Sequence, residues 1–139
     1  MKTEPGELWE FAEGYTAAWC SRNANSVAAF FGPVGSLSVN GGVPAVGREA
    51  IAELAQSFMT AFPDLHLEMD KLLVKDGGTE YHWTLNGTNT GPGGTGKRVR
   101  ISGFERWRIG ADGLIAASQG QFDDGDYRRQ LGSGVAGIE

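Results

Sequence analysis

The sequence predicts an α+β domain, with helices in the first half packed on one face of a sheet built from the second half. Three observations carry that prediction. Apolar side chains recur at helical spacing early in the chain, polar and apolar residues alternate singly later on, and glycine is abundant at the breaks between them. The 22 glycines among 139 residues are well above the usual share of about 7%, and they sit in turns and one loop.

Leu8, Phe11, Ala12, Tyr15 and Trp19 fall at i, i+3, i+4, i+7 and i+11, one buried helix face. Thr3 or Glu4 can cap this helix, and Pro5 is tolerated in a first turn, where its missing N–H has no partner to lose. After Asn23-Ala24-Asn25-Ser26, a short helix is expected from Val27 to Phe31, stopped by Gly32-Pro33. Leu37-Ser38-Val39 reads as a short strand. A second amphipathic helix runs from about Arg48 to Phe62, with Ile51, Leu54, Ala55, Phe58 and Phe62 on one face, and Pro63 ends it.

A strand starts near Leu65 and turns at Asp76-Gly77-Gly78. The next, Glu80 to Thr88, directs Tyr81, Trp83 and Leu85 one way and Glu80, His82 and Thr84 the other. A glycine-rich loop, Gly91 to Gly96, leads into a long strand from Lys97 to Ile109. It joins two strands and opens no helix, so it is no phosphate-binding loop. Asp112-Gly113 turns the chain into a last strand, Leu114 to Phe122, and a closing helical segment spans Asp124 to Leu131.

The last hairpin can be registered from its turn. An Asp-Gly with glycine in the left-handed position makes Gly110 and Leu114 the closing pair. Counting back pairs Ile109 with Ile115, Trp107 with Ala117, Glu105 with Gln119 and Gly103 with Gln121. Arg98, Arg100, Arg106 and Arg108 then share the opposite face and look outward. This register turns Glu105, Gln119, Gln121 and Asp123 inward among aromatics. Buried polar groups must be paired or wet, and polar groups converging inside an aromatic wall describe a ligand pocket. A slip of one residue would turn all of them outward.

Composition narrows the function classes. Twelve Lys+Arg against seventeen Asp+Glu give a net charge of −5, a poor balance for binding phosphate backbones. No apolar run approaches the roughly 18 residues of a membrane span. The segment Met1 to Pro5 lacks the apolar core of a secretory signal, so the cytoplasm is the expected compartment. One cysteine and two histidines make a structural zinc site improbable. A length of 139 residues suits one domain spanning 1–139.

Several short stretches, in order, resemble the SnoaL-like polyketide cyclases of the nuclear-transport-factor-2-like superfamily. They are Gly47-Arg48-Glu49-Ala50-Ile51, Phe62-Pro63-Asp64-Leu65, Gly87-Thr88-Asn89-Thr90-Gly91 and Thr95-Gly96-Lys97, followed by Arg108-Ile109, Asp112-Gly113-Leu114-Ile115, Asp123 and Gln130-Leu131-Gly132. The resemblance covers roughly Tyr15 to Gly132. It implies a cone: a curved antiparallel sheet with the N-terminal helices over its concave face, enclosing a pocket. It also implies a cofactor-free cyclase or isomerase that handles a hydrophobic carbonyl compound, with Asp123 as general base. Asn89 stands where many members carry His, and Ser118 and Gln119 where many carry His or Trp.

The expected site is therefore Asp123 as catalytic base, with Gln119 or Gln121 as an oxyanion donor. Glu105, Trp107, Trp83, Tyr15, Trp19, Phe58 and Phe62 are the expected substrate-binding residues. No metal or cofactor is expected. The expected partners are a small hydrophobic carbonyl ligand and a second copy meeting the arginine face, with neither nucleic acid nor membrane. A ligand-binding protein without catalysis, or a dimerisation module, is the alternative on the same fold. Asp123 has a competing reading as the cap of the helix that follows it.

Overall fold

A computed structural model describes residues 5–75 and 78–134. The chain runs α1 (Pro5–Cys20), α2 (Ala24–Ala28), β1 (Phe31–Val39), β2 (Ala45–Val46), α3 (Arg48–Ala61), β3 (His66–Lys75), β4 (Gly78–Thr88), β5 (Arg98–Ile109), β6 (Ile115–Phe122) and α4 (Asp124–Ser133). Thr3, Glu4 and the Asp76-Gly77 part of the expected turn lie outside the described residues. The six strands form one open, curved sheet in the order β2-β1-β6-β5-β4-β3.

β3 through β6 pair antiparallel, as expected, but β1 lies parallel to β6, so the sheet is mixed. The expected three-residue strand at Leu37–Val39 is the end of this nine-residue strand. The short helix ends earlier than its apolar residues suggest. Asn23 caps it by accepting the Ser26 N–H at 3.2 Å, and Phe31, fully buried, already pairs with Ile115 in the sheet. At the end of α3, the Phe62 N–H still bonds the Phe58 carbonyl before Pro63 turns the chain away.

The apolar helix faces meet the concave side of the sheet. Phe11, Tyr15, Ile51, Ala55 and Phe62 are buried together with Tyr81, Val99 and Trp107. Tyr15 lies edge-on to Tyr81 and Trp107 at 5.3 and 5.2 Å, and those two rings stack at 4.9 Å. Tyr81, Trp83 and Leu85 are buried, as the alternation predicts. Arg98, Arg100 and Arg108 are exposed on the other side, and Arg106 is partly so.

The last hairpin closes as expected. The Gly110 N–H bonds the Leu114 carbonyl at 2.8 Å and Gly113 takes a φ of +80°. Ile109 faces Ile115, but there the expected register fails. Arg108 faces Ala117, which leaves Ala116 as an extra residue and pairs Trp107 with Ser118, Glu105 with Gly120 and Gly103 with Phe122. This is a β-bulge. The parallel neighbour is irregular at the same level, between Phe31 and Ser36. A Cβ on Gly35 would stand 2.7 Å from the Ile115 carbonyl oxygen, so only glycine permits that approach.

Beyond the bulge every side chain of β6 is on the face opposite to the one expected. Ser118 is buried and turned inward, while Gln119 and Gln121 are exposed on the convex side. Asp123 is exposed as well. Its carboxylate accepts the Asp126 N–H at 3.0 Å and caps α4, the competing reading of that residue.

Candidate active site

A small hollow of about 60 Å³ lies between α1, α3 and the concave face of the sheet. The period of each element decides what it contributes. Trp19 comes from the last turn of α1, and Leu54 and Phe58, one turn apart, come from α3. Leu37 and Val39 project from β1, Leu67 from β3, and Trp83 and Leu85 from β4. Ile101 and Glu105 stand on β5, and Gly120 and Phe122 on β6.

Glu105 is the charged residue among the described residues of this wall. It is 6% exposed. Three neutral donors hold its carboxylate: Tyr15 Oη at 3.0 Å from each oxygen, Trp107 Nε1 at 3.0 Å from Oε1, and Ser118 Oγ at 2.7 Å from Oε1. Among the described residues no Lys, Arg or His joins this set. Burial pushes the Glu105 carboxyl above its ordinary range, and the Trp107, Ser118 and Tyr15 bonds oppose that rise. Burial and the nearby Glu105 charge push the Tyr15 phenol well above its usual value, so it stays a donor.

Among the described residues the donors crowd onto Oε1, while Oε2 receives the Tyr15 hydroxyl alone. Directly across the hairpin from Glu105 is Gly120, which has no side chain to cover it. A Cβ there would make ordinary contacts, 3.8 Å to Glu105 Cγ and 3.4 Å to the Ser38 carbonyl oxygen. The glycine thus leaves open space beside the carboxyl where a larger residue would fill it.

Trp19 Nε1 is buried, and among the described residues its polar neighbour is the Tyr15 hydroxyl, whose anion its N–H favours. Among the described residues, no group of three or more His, Cys, Asp or Glu side chains is placed to hold a metal ion.

The model of the SnoaL-like polyketide cyclase family matches residues 10–131. The chain belongs to the SnoaL-like polyketide cyclases. Solved structures agree on the fold. A SnoaL-like polyketide cyclase from Jannaschia sp. CCS1 superposes with a TM-score of 0.81 at 14% identity, over 97% of this chain and 99% of that one. A protein of ketosteroid isomerase-like fold from Catenulispora acidiphila, bound to trimethylamine, gives 0.77 at 18% identity over 88% and 92%. The epoxide hydrolase/cyclase-like enzyme SalBIII of salinomycin pyran-ring formation gives 0.77 at 18% over 91% and 97%. At such identities the likeness concerns the fold alone. No curated protein matches the chain in sequence.

Within this SnoaL-like chain the expected site residues divide into three groups. Glu105, Trp83, Trp19 and Phe58 line the hollow. Tyr15 and Trp107 stand behind it and hold Glu105 from the far side, while Phe62 is plain core, packed under Gly87 and beside Tyr127. Asp123, Gln119 and Gln121 are outside: the Ala116 bulge turned the two glutamines away, and Asp123 serves α4. Gln119 and Gln121 instead border a shallow groove on the convex face with Glu80, Phe104 and Arg106.

Residues the sequence reading passed over explain two of the quoted motifs. Ser118 completes the grip on Glu105. Gln130, buried, accepts the Arg100 N–H at 2.7 Å and docks α4 on β5. Asn89 is also structural: it donates to the Ala61 carbonyl at 3.0 Å and accepts the Thr95 N–H at 2.8 Å, pinning the glycine-rich loop to the end of α3. Ser118 could have been found only by knowing of the bulge.

Proposed function

We propose that this SnoaL-like protein binds a compact apolar carbonyl compound in the hollow and moves a proton on it, with Glu105 as the base. The observation that carries the reading is a buried carboxyl in an apolar wall, held by three neutral donors with no cation beside it among the described residues. Such a group holds its proton more strongly than a solvated carboxylate does, which brings its basicity toward that needed to take up a carbon-bound proton. Tyr15, Trp107 and Ser118 fix it in place, and its Oε2 keeps the freer lone pairs.

In this reading the Glu105 carboxylate removes a proton from the carbon next to the ligand carbonyl. The C–H electron pair passes into an enolate, whose charge collects on the oxygen. In a β,γ-unsaturated ketone the charge spreads over a dienolate, and return of the proton from Glu105 to its γ carbon completes an isomerisation. Attack of the enolate carbon on a second carbonyl closes a ring instead, and Glu105 returns its proton to the new alkoxide. A second copy on the Arg98, Arg100, Arg106 and Arg108 face is part of the same proposal, and sedimentation of the purified protein tests it.

The proton step can be tested without the natural substrate. β-Tetralone, a bicyclic ketone with acidic C–H bonds, exchanges those hydrogens in heavy water. Wild type should accelerate the exchange, and Glu105→Gln should lower the enzymic rate by about a hundredfold or more while still binding the ketone by calorimetry. Asp123→Asn should leave it unchanged. Equal exchange by wild type and Glu105→Gln would remove Glu105 from the chemistry.

A further inference from the structure

Cys20 is the single cysteine of the chain, and the proton-transfer reading makes no use of it. It ends α1 and lies half-buried against β3, the strand at one edge of the sheet. An edge strand presents backbone groups that no neighbouring strand can pair. At Leu67 the sulfur takes the place of that strand. Its S–H donates to the Leu67 carbonyl at 3.1 Å, and the sulfur accepts the Leu67 N–H at 3.3 Å.

The same strand brings an imidazole and a carboxylate to the sulfur. His66 and Glu68 are two residues apart on β3, so their side chains leave one face of it. His66 Nδ1 stands 3.7 Å from the Cys20 sulfur, and His66 Nε2 lies 4.0 Å from Glu68 Oε1. Both side chains are 60% exposed, so a molecule from solvent can reach the row they form with the thiol. A nucleophile, a base beside it and a third group that orients the base are the parts that covalent catalysis assembles. The imidazole tautomer with its proton on Nε2, toward Glu68, leaves the Nδ1 lone pair for the thiol proton. The Leu67 N–H stays bonded to the sulfur after that proton has gone.

We propose that Cys20 is a thiol-modification site that reacts with small disulfides, with His66 as its base and Glu68 holding the imidazole. His66 Nδ1 takes the thiol proton as the sulfur attacks one sulfur of the disulfide. A new S–S bond forms while the old one breaks, and the departing thiolate collects the proton from His66 and leaves as a thiol. Cys20 is thereby oxidised to a mixed disulfide, and the departing half is reduced. The chain has no second cysteine to displace the adduct, so it persists until an external thiol removes it. Trp19 and Leu67, on either side of the sulfur, line the hollow, but the proposal depends neither on a ligand there nor on Glu105.

2-Hydroxyethyl disulfide, a small neutral probe, tests it. With one cysteine in the chain, the mass of the intact protein reports Cys20 alone, and Cys20→Ser should form no adduct. At about pH 7, folded wild type should react about tenfold or more faster than the same chain unfolded in urea. His66→Ala should lose that advantage. The side chain it removes is exposed, so its urea midpoint should match wild type, and His66→Gln repeats the test with a larger side chain. Added imidazole should restore the rate of His66→Ala and leave wild type nearly unchanged, which a purely structural role for the ring would not produce.

A folded wild type that reacts no faster than the unfolded chain would overturn the proposal. So would an unchanged rate in both His66 variants, or a slowed His66→Ala that imidazole fails to rescue, since the ring would then act by packing alone.

Discussion

Glu80 and Glu105 sit on neighbouring strands, one register step apart: Glu80 pairs with Arg106, and Tyr81 pairs with Glu105. They differ in the face they occupy. Glu80, on the convex side, meets His82 at 3.2 Å, Lys75 at 3.4 Å and Arg106 at 3.5 Å. The His82 bond, with help from Lys75, draws its carboxyl below the ordinary range. Glu105, on the concave side, meets neutral donors among the described residues, and burial pushes its carboxyl up. The same side chain thus gives up its proton more readily on one face and holds it more strongly on the other. Side-chain chemistry here is a property of the face, and the face is set by strand register.

The strongest way to break this comparison is to change the register. Inserting one alanine between Ala117 and Ser118 shifts the pairing beyond the bulge by one residue, so that Gln119 and Gln121 turn inward and Phe122 turns out. Two amides lose water and an aromatic gains it, so a loss of about 4 kcal/mol or more in urea unfolding is expected. A variant with wild-type stability would mean that register does not decide the face.

The pH dependence of stability separates the two glutamates by sign. Below the ordinary carboxyl range, Glu105 is protonated both folded and unfolded. Between that range and its raised value, the folded chain keeps a proton that the unfolded chain has lost, so rising pH destabilises the fold across that window. Glu80, shifted downward, has its stabilising effect above the ordinary range and loses it as acid protonates the folded carboxylate. Urea unfolding at about pH 5 and about pH 8 should show Glu105→Gln gaining on wild type at the higher pH. Glu80→Gln should not gain on wild type there.

Smaller effects sharpen the picture. Ser118→Ala removes one donor from the carboxylate, which should raise the pH midpoint of β-tetralone exchange by about one unit. An unmoved midpoint would detach Ser118 from Glu105. Asp123→Ala should cost about 1 kcal/mol of stability through the lost cap and leave exchange intact. A collapse of exchange in that variant would return Asp123 to the chemistry.

Much of this was legible in the residues. The helix faces at Leu8 to Trp19 and Ile51 to Phe62, the alternation at Tyr81 to Leu85 and the Gly110–Leu114 closure each follow from local spacing and turn chemistry. So did the membership of Glu105, Trp83, Trp19 and Phe58 in one hollow, because they lie on the chain before the bulge or on other elements. Gln119, Gln121 and Asp123 were misplaced because their facing depended on a continuous count through Ala116. Nothing in Ile115-Ala116-Ala117 marks an extra residue.

The periods, the breaks and the face carrying Glu105 were thus determined by the sequence alone, since each depends on neighbours a few residues away. Tertiary structure decided the bulge, because it accompanies β1 joining β6 in parallel, with Gly35 nearly touching the Ile115 carbonyl. That contact joins residues about eighty positions apart in the chain. It sends Ser118 to Glu105, opens space over Gly120 and leaves Asp123 to cap a helix, and a local pattern holds no information about a strand that arrives from so far away.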